Sequence, residues 1–575
     1  MWRRLWGRLG QRAWLGAVII ALGLGLHAPS LTTGLVADDW VHEVVAEGRP
    51  LDGQPTSRLD LFSFASTPSR TLALVDRGVF PWWADPTTRL AFFRPLTSLS
   101  HQLDYRLWPH SPVAMHLQNL AWFALALWLL GRFYRRHLPG GVALLALLLY
   151  AVDDAHGPAV GWVANRNAMM ALAVSLPSLI WYDRWRREGW RWGAWLSPLG
   201  LAVGLLAGEA ALATVAYLVA YALHLDKRRW LPLLPSLGVV LAWMLTYRAL
   251  GFGAAGSGVY IDPGAEPVAF LSALFGRATA LWAGQFALPW SDLSTLYAYL
   301  SPRLATIMSV VTVVVCGLVV LGFVGLWRRD PVARFFATGA VLATVPVCST
   351  FPADRLLFFV GIGAMGLVAQ LLAEPARGPL RLWVGVLVVI HLVLAPPLLL
   401  LRSRSMLTVE APLARAERSI PSGPEVRRQT VVLVNPPSDL FAGYVLLTRH
   451  ARGTVEPERL RWLASTRRAV TVTRVDERTL VVRPEGGFAE QASEQMLRSP
   501  RHPLEPGQQL GLTGVQITLG DGDARFVFDR PLEDPSLVWL RWDVDRYRPF
   551  TLPPLGSTVT LPSVDFLRAV FAPTW

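Results

Sequence analysis

Eleven stretches of this chain, all before residue 402, are apolar enough and close enough to twenty residues long to read as helices that cross a bilayer. They cover residues 13–36, 115–132, 139–152, 167–182, 193–208, 210–225, 231–249, 304–326, 332–350, 355–373 and 381–401. In lipid, backbone N–H and C=O groups find no water, so segments of this kind close their own hydrogen bonds as helices. Composition agrees: 53% of the residues are hydrophobic and 17% charged, against roughly 25% charged in a soluble domain. The first run follows the basic segment MWRRLWGRLGQR. It is longer than the apolar core of a cleaved signal, about 7–15 residues, and lacks a small-residue cleavage site, so it reads as an uncleaved first helix.

The arginines orient these spans. Basic clusters stand at Arg3, Arg4, Arg8 and Arg12, at Arg132, Arg135 and Arg136, and at Arg184, Arg186, Arg187 and Arg191. Further clusters are Lys227, Arg228 and Arg229, then Arg328, Arg329 and Arg334, then Arg377 and Arg381. All fall on one side if the N-terminus is cytoplasmic and if residues 267–288 do not cross. The net charge of +13 thus serves topology and does not point to a nucleic-acid partner. The two cysteines, Cys316 and Cys348, lie in apolar runs without metal-ligand spacing and read as small buried residues.

The opposite, outer side receives the long segments 37–114, 153–166 and 250–303, and the remainder of the chain. The expected division is a helical membrane domain over 1–401 and a mixed, β-rich soluble domain over 402–575. In the latter, 429–435, 444–450, 469–475, 479–484, 514–520, 524–530 and 536–543 read as strands from their β-branched runs and intervening turn residues.

Chemistry-bearing residues concentrate on that outer side. Asp38 and Asp39 follow the first span, where a carboxylate pair can serve as general base or metal ligand, or simply begin the next helix. In FFRPLTSLSHQLDYRLW (92–108), apolar residues recur at helical spacing, with Pro95 fitting a first turn. Arg94 there can fork onto a phosphate or snorkel to the interface. His116 and Asn119 lie one turn apart and suit hydrogen bonding between helices better than metal ligation. AVDDAHGPAVGWVANRN (151–167) brings Asp153, Asp154, His156 and Arg166 to the same side, as a second acidic loop or as a solvated turn. Glu209 and Asp354-Arg355 are ionisable groups at span ends, and Glu209 with Arg355 can form a structural ion pair. The glycine-rich segment 251–263 does not fit a nucleotide-binding fingerprint.

Taken in order, the acidic pair, FRPL, HLQN, DDAHGPAVGWVANRN, GEAALA and DRLLFF resemble the multispan glycosyltransferases of the GT-C class. They are most similar to the protein O-mannosyltransferase branch that carries tetratricopeptide repeats. The resemblance covers roughly residues 30–375. The chain departs from that pattern at Asp153-Asp154-Ala155-His156, where the family has HPxH, at Pro158, where a glutamate is common, at Asn165, and at Gly208, where a lysine precedes the glutamate. The β-rich tail stands where the family has its repeats.

The resemblance implies an inverting enzyme that moves a sugar from a polyprenyl-phosphate donor to a protein or glycan acceptor on the outer face, with membrane lipid around it. It implies Asp39 or Asp38 as base, Asp39 being preferred, and Asp153, Asp154 and His156 orienting the acceptor or a metal. Arg94, Arg166 and Arg355 would meet the leaving phosphate, with His116, Asn119 and Glu209 in support. No cofactor is certain, and a divalent metal stays open. Two other readings stand: a transporter or flippase of lipid-linked sugar, and a non-catalytic relative that binds envelope polymers. Composition, anchor and tail suit a bacterial inner membrane with the tail in the periplasm.

Overall fold

A computed structural model describes residues 14–296, 302–375, 378–491, 494–565 and 568. The first arginine cluster and Arg377 lie outside the described residues. The chain divides into two compact units.

The first unit comprises Met1–Leu35, Phe92–Gly251 and Asp262–Met406. A helix lies over each of the eleven apolar stretches. Five are long and apolar enough to cross a membrane: Trp14–Thr32, Pro112–His137, Leu231–Ala249, Arg303–Arg329 and Pro379–Arg418. Five shorter apolar helices, among them Gly140–Ala151 and Phe358–Ala373, accompany them. The segment 267–288 is also helical, as Pro267–Phe286. Pro95–Leu107 is the helix read in the FFRPL segment, with Pro95 in its first turn, where no N–H is needed.

The interior of this unit is built around the helix Phe358–Ala373, which is buried continuously from Phe358 to Leu371. Small residues explain how neighbours come so close. A Cβ on Gly363 would meet the Phe336 carbonyl oxygen at 2.3 Å, so only glycine permits this helix contact. Polar groups are then satisfied inside: the Tyr134, Tyr150 and Tyr217 hydroxyls donate to the carbonyls of Ile362, Phe358 and Phe359 at 2.8, 2.8 and 2.6 Å. Cys316 and Cys348 are buried free thiols, as their apolar surroundings predict.

The second unit comprises Val36–Ala91, Phe252–Ile261 and Leu407–Trp575. Segments read above as parts of two outer loops therefore cluster with the C-terminal region. All thirteen described strands lie here. β1 (Ser63–Ala65), β2 (Arg89–Ala91) and β3 (Gly253–Ala255) make a small sheet. β4 (Thr430–Leu433) and β5 (Arg459–Trp462) belong to a four-stranded sheet. β6 (Val470–Arg474), β7 (Thr479–Pro484), β8 (Gln509–Leu512), β9 (Val515–Leu519) and β10 (Ala524–Phe528) belong to a six-stranded one. β11 (Leu537–Asp543) and β12 (Arg546–Pro549) complete the former, β13 (Thr558–Leu561) the latter. The four-stranded order is β12-β11-β4-β5, with β4 parallel to both neighbours: Val431 faces Val538 on one side and Leu460 on the other. The six-stranded sheet, β13-β6-β7-β10-β9-β8, is antiparallel and alternates buried with exposed side chains along β9 and β10. Trp82, Trp83 and Trp462 join Val431, Leu446, Val472, Val482, Ile517 and Phe526 in the core.

One expected strand is a helix. Residues 444–450 lie within Asp439–Arg452, which connects parallel β4 to β5. Phe441, Val445, Leu446 and Arg449 bury one face at helical spacing, and Gly453 ends the helix in a left-handed conformation at φ +64°. A parallel pair requires such a crossover, which overrides the strand propensity of YVLLT.

Candidate functional site

The acidic pair opens the helix Asp38–Ala46 of the second unit. Carboxylates in a first turn are favoured by the helix dipole. Neither caps the helix through its side chain; the N-cap is Ala37, at φ +50°. A residue with a Cβ rarely takes that conformation, and here it immediately precedes the pair. Asp39 is fully buried and accepts the Val36 N–H at 2.7 Å. Asp38 is half-buried and accepts from the Tyr444 hydroxyl at 2.6 Å. Burial first, then the neighbouring Asp38 carboxylate, holds the Tyr444 hydroxyl well above the usual phenol range, so it remains a donor. Tyr444 was hidden from sequence reading, since a strand register would not have aimed it here. Of the two carboxylates, Asp38 is the more exposed, and Asp39, the one preferred from resemblance, is fully buried.

The second acidic loop belongs to the first unit. Asp153 accepts the Ala155 N–H at 3.1 Å and the Gln285 amide at 2.8 Å. Burial, and then the Asp154 charge, pushes its pKa up to about 8, toward the protonated form. Asp154 turns instead onto Arg402, at 2.9 Å. Arg402 also reaches Asp292 at 2.8 Å and Asp354 at 2.6 Å. The Asp354 Oδ1 accepts the Ser291 N–H at 2.8 Å, and the Asp292 Oδ1 accepts the Asp354 N–H at 3.2 Å. Burial raises Asp154 against the pull of Arg402, and burial followed by the Asp354 charge raises Asp292 to about 6.

His156 does not join these acids. It is fully buried, stacks on Phe358 with ring centroids 4.8 Å apart, and hydrogen-bonds the Tyr150 carbonyl at 3.1 Å. Burial first, with His27 adding to it, lowers its pKa to about 3, so the ring is neutral. Asp153, Asp154 and His156 are close in sequence, but the two acids and the imidazole face different partners.

The three arginines named for a phosphate differ in what holds them. Arg94 pairs with Glu209 at 2.7 Å, so the ion pair expected between Glu209 and Arg355 is made by Arg94 instead. Arg166 is fully buried, paired with Asp104 at 2.5 Å and bonded to the Asn119 side chain and the Met115 carbonyl at 2.7 and 3.0 Å. Arg355 lies over the Trp162 and Phe351 rings, 5.7 and 5.1 Å from their centroids, and makes no ion pair among the described residues. His116 bonds the Gly34 carbonyl at 3.0 Å, and Asn119 donates to the Val160 and Trp162 carbonyls at 3.2 and 3.1 Å. Each ties neighbouring segments together, and they do not bond each other.

A divalent metal does not fit the acidic loop. The Arg402 guanidinium holds one oxygen each from Asp154, Asp292 and Asp354. Among the described residues no group of three or more His, Cys, Asp or Glu side chains is arranged to hold a metal ion.

No family model matches the chain. Over 196 residues it is 31% identical to the Drosophila melanogaster protein O-mannosyl-transferase Tmtc1, which covers 33% of this chain and 21% of that protein. Over 177 residues it is 27% identical to the human protein O-mannosyl-transferase TMTC3, covering 29% and 19% respectively. The chain is similar in sequence to protein O-mannosyl-transferases. These matches return the resemblance read from the ordered motifs, and they span about a fifth of the length of those relatives. Among solved structures, the Archaeoglobus fulgidus oligosaccharyltransferase tethered with an acceptor peptide aligns at a TM-score of 0.40 and 10% identity, covering 78% of this chain and 64% of that one. The same organism's oligosaccharyltransferase AglB, in complex with an inhibitory peptide and a dolichol-phosphate, aligns at 0.40 and 9%, covering 76% and 64%.

Proposed function

We propose that this chain is a membrane-embedded glycosyltransferase that moves a sugar from a polyprenyl-phosphate donor to a hydroxyl on a protein or glycan acceptor. The observation that carries this reading is its similarity to protein O-mannosyl-transferases. The accessible Asp38 carboxylate, aimed by a strained turn, supports it. The chain crosses the bilayer about eleven times with its arginine clusters cytoplasmic, in a bacterial inner membrane, and transfer occurs on the outer face.

Asp38 takes the proton of the acceptor hydroxyl. The hydroxyl oxygen attacks the anomeric carbon, the bond from that carbon to the phosphate oxygen breaks, and polyprenyl phosphate leaves with the bonding electrons. Attack opposite the leaving group inverts the anomeric centre. Within the first unit, the apolar helices hold the isoprenoid tail. Arg355 is the phosphate ligand of choice within this unit, because aromatic faces fix its plane and no ion pair among the described residues ties up its guanidinium. Arg94 and Arg166 act by keeping their own segments in place.

The test is transfer of radiolabel from a polyprenyl-phosphate sugar pool to acceptor in membranes of matched expression. Wild type should label acceptor and Asp38→Asn should not, while Asp39→Asn retains partial activity. Labelling that survives Asp38→Asn removes Asp38 as base. Movement of label across the membrane without a new glycosidic bond would establish a transporter instead.

A further inference from the structure

Three acidic residues from three separated segments converge in the first unit, and one guanidinium meets all of them. Asp154 follows the helix Gly140–Ala151, Asp292 starts the helix Ser291–Leu296, and Asp354 lies in the turn before Phe358–Ala373. Arg402 ends the helix Ala395–Arg402. Its Nη1 donates to Asp154 and its Nη2 to both Asp292 and Asp354, at 2.9, 2.8 and 2.6 Å. The Trp290 ring lies 4.6 Å from the guanidinium carbon. The second oxygens of Asp292 and Asp354 are occupied by backbone N–H groups.

The backbone is shaped for this approach. A Cβ on Gly157 would come within 2.8 Å of the Arg402 carbonyl carbon, and one on Gly161 within 2.2 Å of the Ser403 carbonyl oxygen. Both glycines lie in HGPAVG, directly after the acidic loop. Glycine at these two positions lets the end of the last long apolar helix press against that segment and bring Arg402 among the acids.

We propose that Arg402 is the resident cation of this acidic cluster, held where three carboxylates would otherwise gather a divalent metal, and that it positions the three segments without one. The donor set supports this. Three formal negative charges face one positive charge, so the cluster is a cation site by composition, and each carboxylate already spends an oxygen on the guanidinium. Removing the side chain while keeping the acids leaves an oxygen-rich, net-negative cavity suited to a hard cation.

The experiment uses the purified full chain in lipid nanodiscs with Mn²⁺ as probe, read by electron paramagnetic resonance and by thermal unfolding. Wild type should bind no stoichiometric Mn²⁺, and neither Mn²⁺ nor EDTA should move its midpoint. Arg402→Ala, expressed and purified with Mn²⁺, should bind about one ion per chain and gain several degrees from it, and adding Asp292→Asn should abolish both effects. Arg402→Lys, which keeps the charge and loses the fork, should fold without gaining Mn²⁺. A wild-type Mn²⁺ site lost on Asp292→Asn would overturn the proposal, as would a folded Arg402→Ala that gains no ion. If Arg402→Ala does not fold, the wild-type and Arg402→Lys measurements still decide it. The corollary, that transfer persists in EDTA, rests on the function proposed above. Absence of transfer under every condition sinks that function and leaves the binding result standing, whereas transfer abolished by EDTA sinks the corollary alone.

Discussion

Both units of this protein hold carboxylates at least partly shielded from water, and one cluster in each treats the charge differently. In the helical unit Asp154, Asp292 and Asp354 face a guanidinium. In the second unit Asp38 is met by the Tyr444 hydroxyl, Asp39 by a backbone N–H, and Asp439 has the Ser465 hydroxyl beside it. A guanidinium favours the anionic form of a carboxylate, here against the pull of burial, and ties it to one place. Neutral donors orient a carboxylate while leaving its proton free to come and go. The first arrangement suits a clamp, and the Tyr444 hydroxyl suits aiming the Asp38 carboxylate.

The largest expected effect separates the two. Asp38→Asn should lower transfer by about 10²–10⁴-fold, the usual contribution of a general base, with the unfolding midpoint little changed. Asp154→Asn should do the reverse, destabilising the chain while retaining measurable transfer. Matched assays of initial rate and thermal unfolding on both variants check the contrast, and equal losses of rate in the two would erase it.

Next in size is the clamp. Arg402→Gln strands Asp354, which is fully buried, Asp154, which is largely so, and the partly exposed Asp292; breaking a buried pair from one side typically costs about 3–5 kcal/mol, with solvent screening the Asp292 share. The measurement is thermal or denaturant unfolding in nanodiscs. A change within about 0.5 kcal/mol, the range of an ordinary surface substitution, would show that Arg402 clamps nothing.

A third prediction concerns pH. Burial first, and the Glu494 charge after it, raises Asp439 to about 8, and burial raises Glu494 and Glu43 to about 7. The folded chain therefore holds these protons at pH values where the unfolded chain has released them. Their contribution is fully present below the ordinary carboxylate range and is lost as pH rises toward about 8. Stability of the second unit should fall over that window by at most about 1.4 kcal/mol per pH unit for Asp439 and Glu494, and by less for the half-buried Glu43, whose charge water screens. Asp439→Asn should flatten the decline above pH 7. A wild-type stability profile that is level from pH 5 to 8 would show that these acids are not desolvated.

The contrast between the units was only half legible in the sequence. The helices were, because each apolar run carries its own signal within twenty residues. So were Asp38, Asp39, Asp153 and Asp154, as paired acids after apolar runs. The clamp was not: Arg402 lies 248 residues from Asp154 and 110 from Asp292, and nothing local records either contact. Its trace was Gly157 and Gly161, two glycines in HGPAVG whose purpose becomes visible only when residues 402 and 403 pack on them. The segment 444–450 reads as a strand from sequence because its β-branched and aromatic residues outweigh the helical spacing of Phe441, Val445 and Arg449. Only the helix brings Tyr444 to Asp38. Arg94 and Arg166 were legible as conspicuous arginines, but sequence does not show that Glu209 and Asp104 hold them.

Tyr444 supplies the smallest and most discriminating test. Its hydroxyl donates to the Asp38 Oδ1 at 2.6 Å, and burial together with that carboxylate keeps it protonated at any physiological pH. Tyr444→Phe keeps the ring and removes one neutral donor. A single hydrogen bond to a charged group is worth about 1.5–3 kcal/mol at most, and one between neutral groups about 0.5–1.5 kcal/mol. If Asp38 is the base and Tyr444 merely aims it, transfer should fall by roughly 3- to 30-fold through kcat, with KM for the donor unchanged. A loss as large as that of Asp38→Asn would make the phenol itself part of the proton path. No loss at all would mean that the phenol does not orient this carboxylate, and the Tyr444 contact would be packing alone.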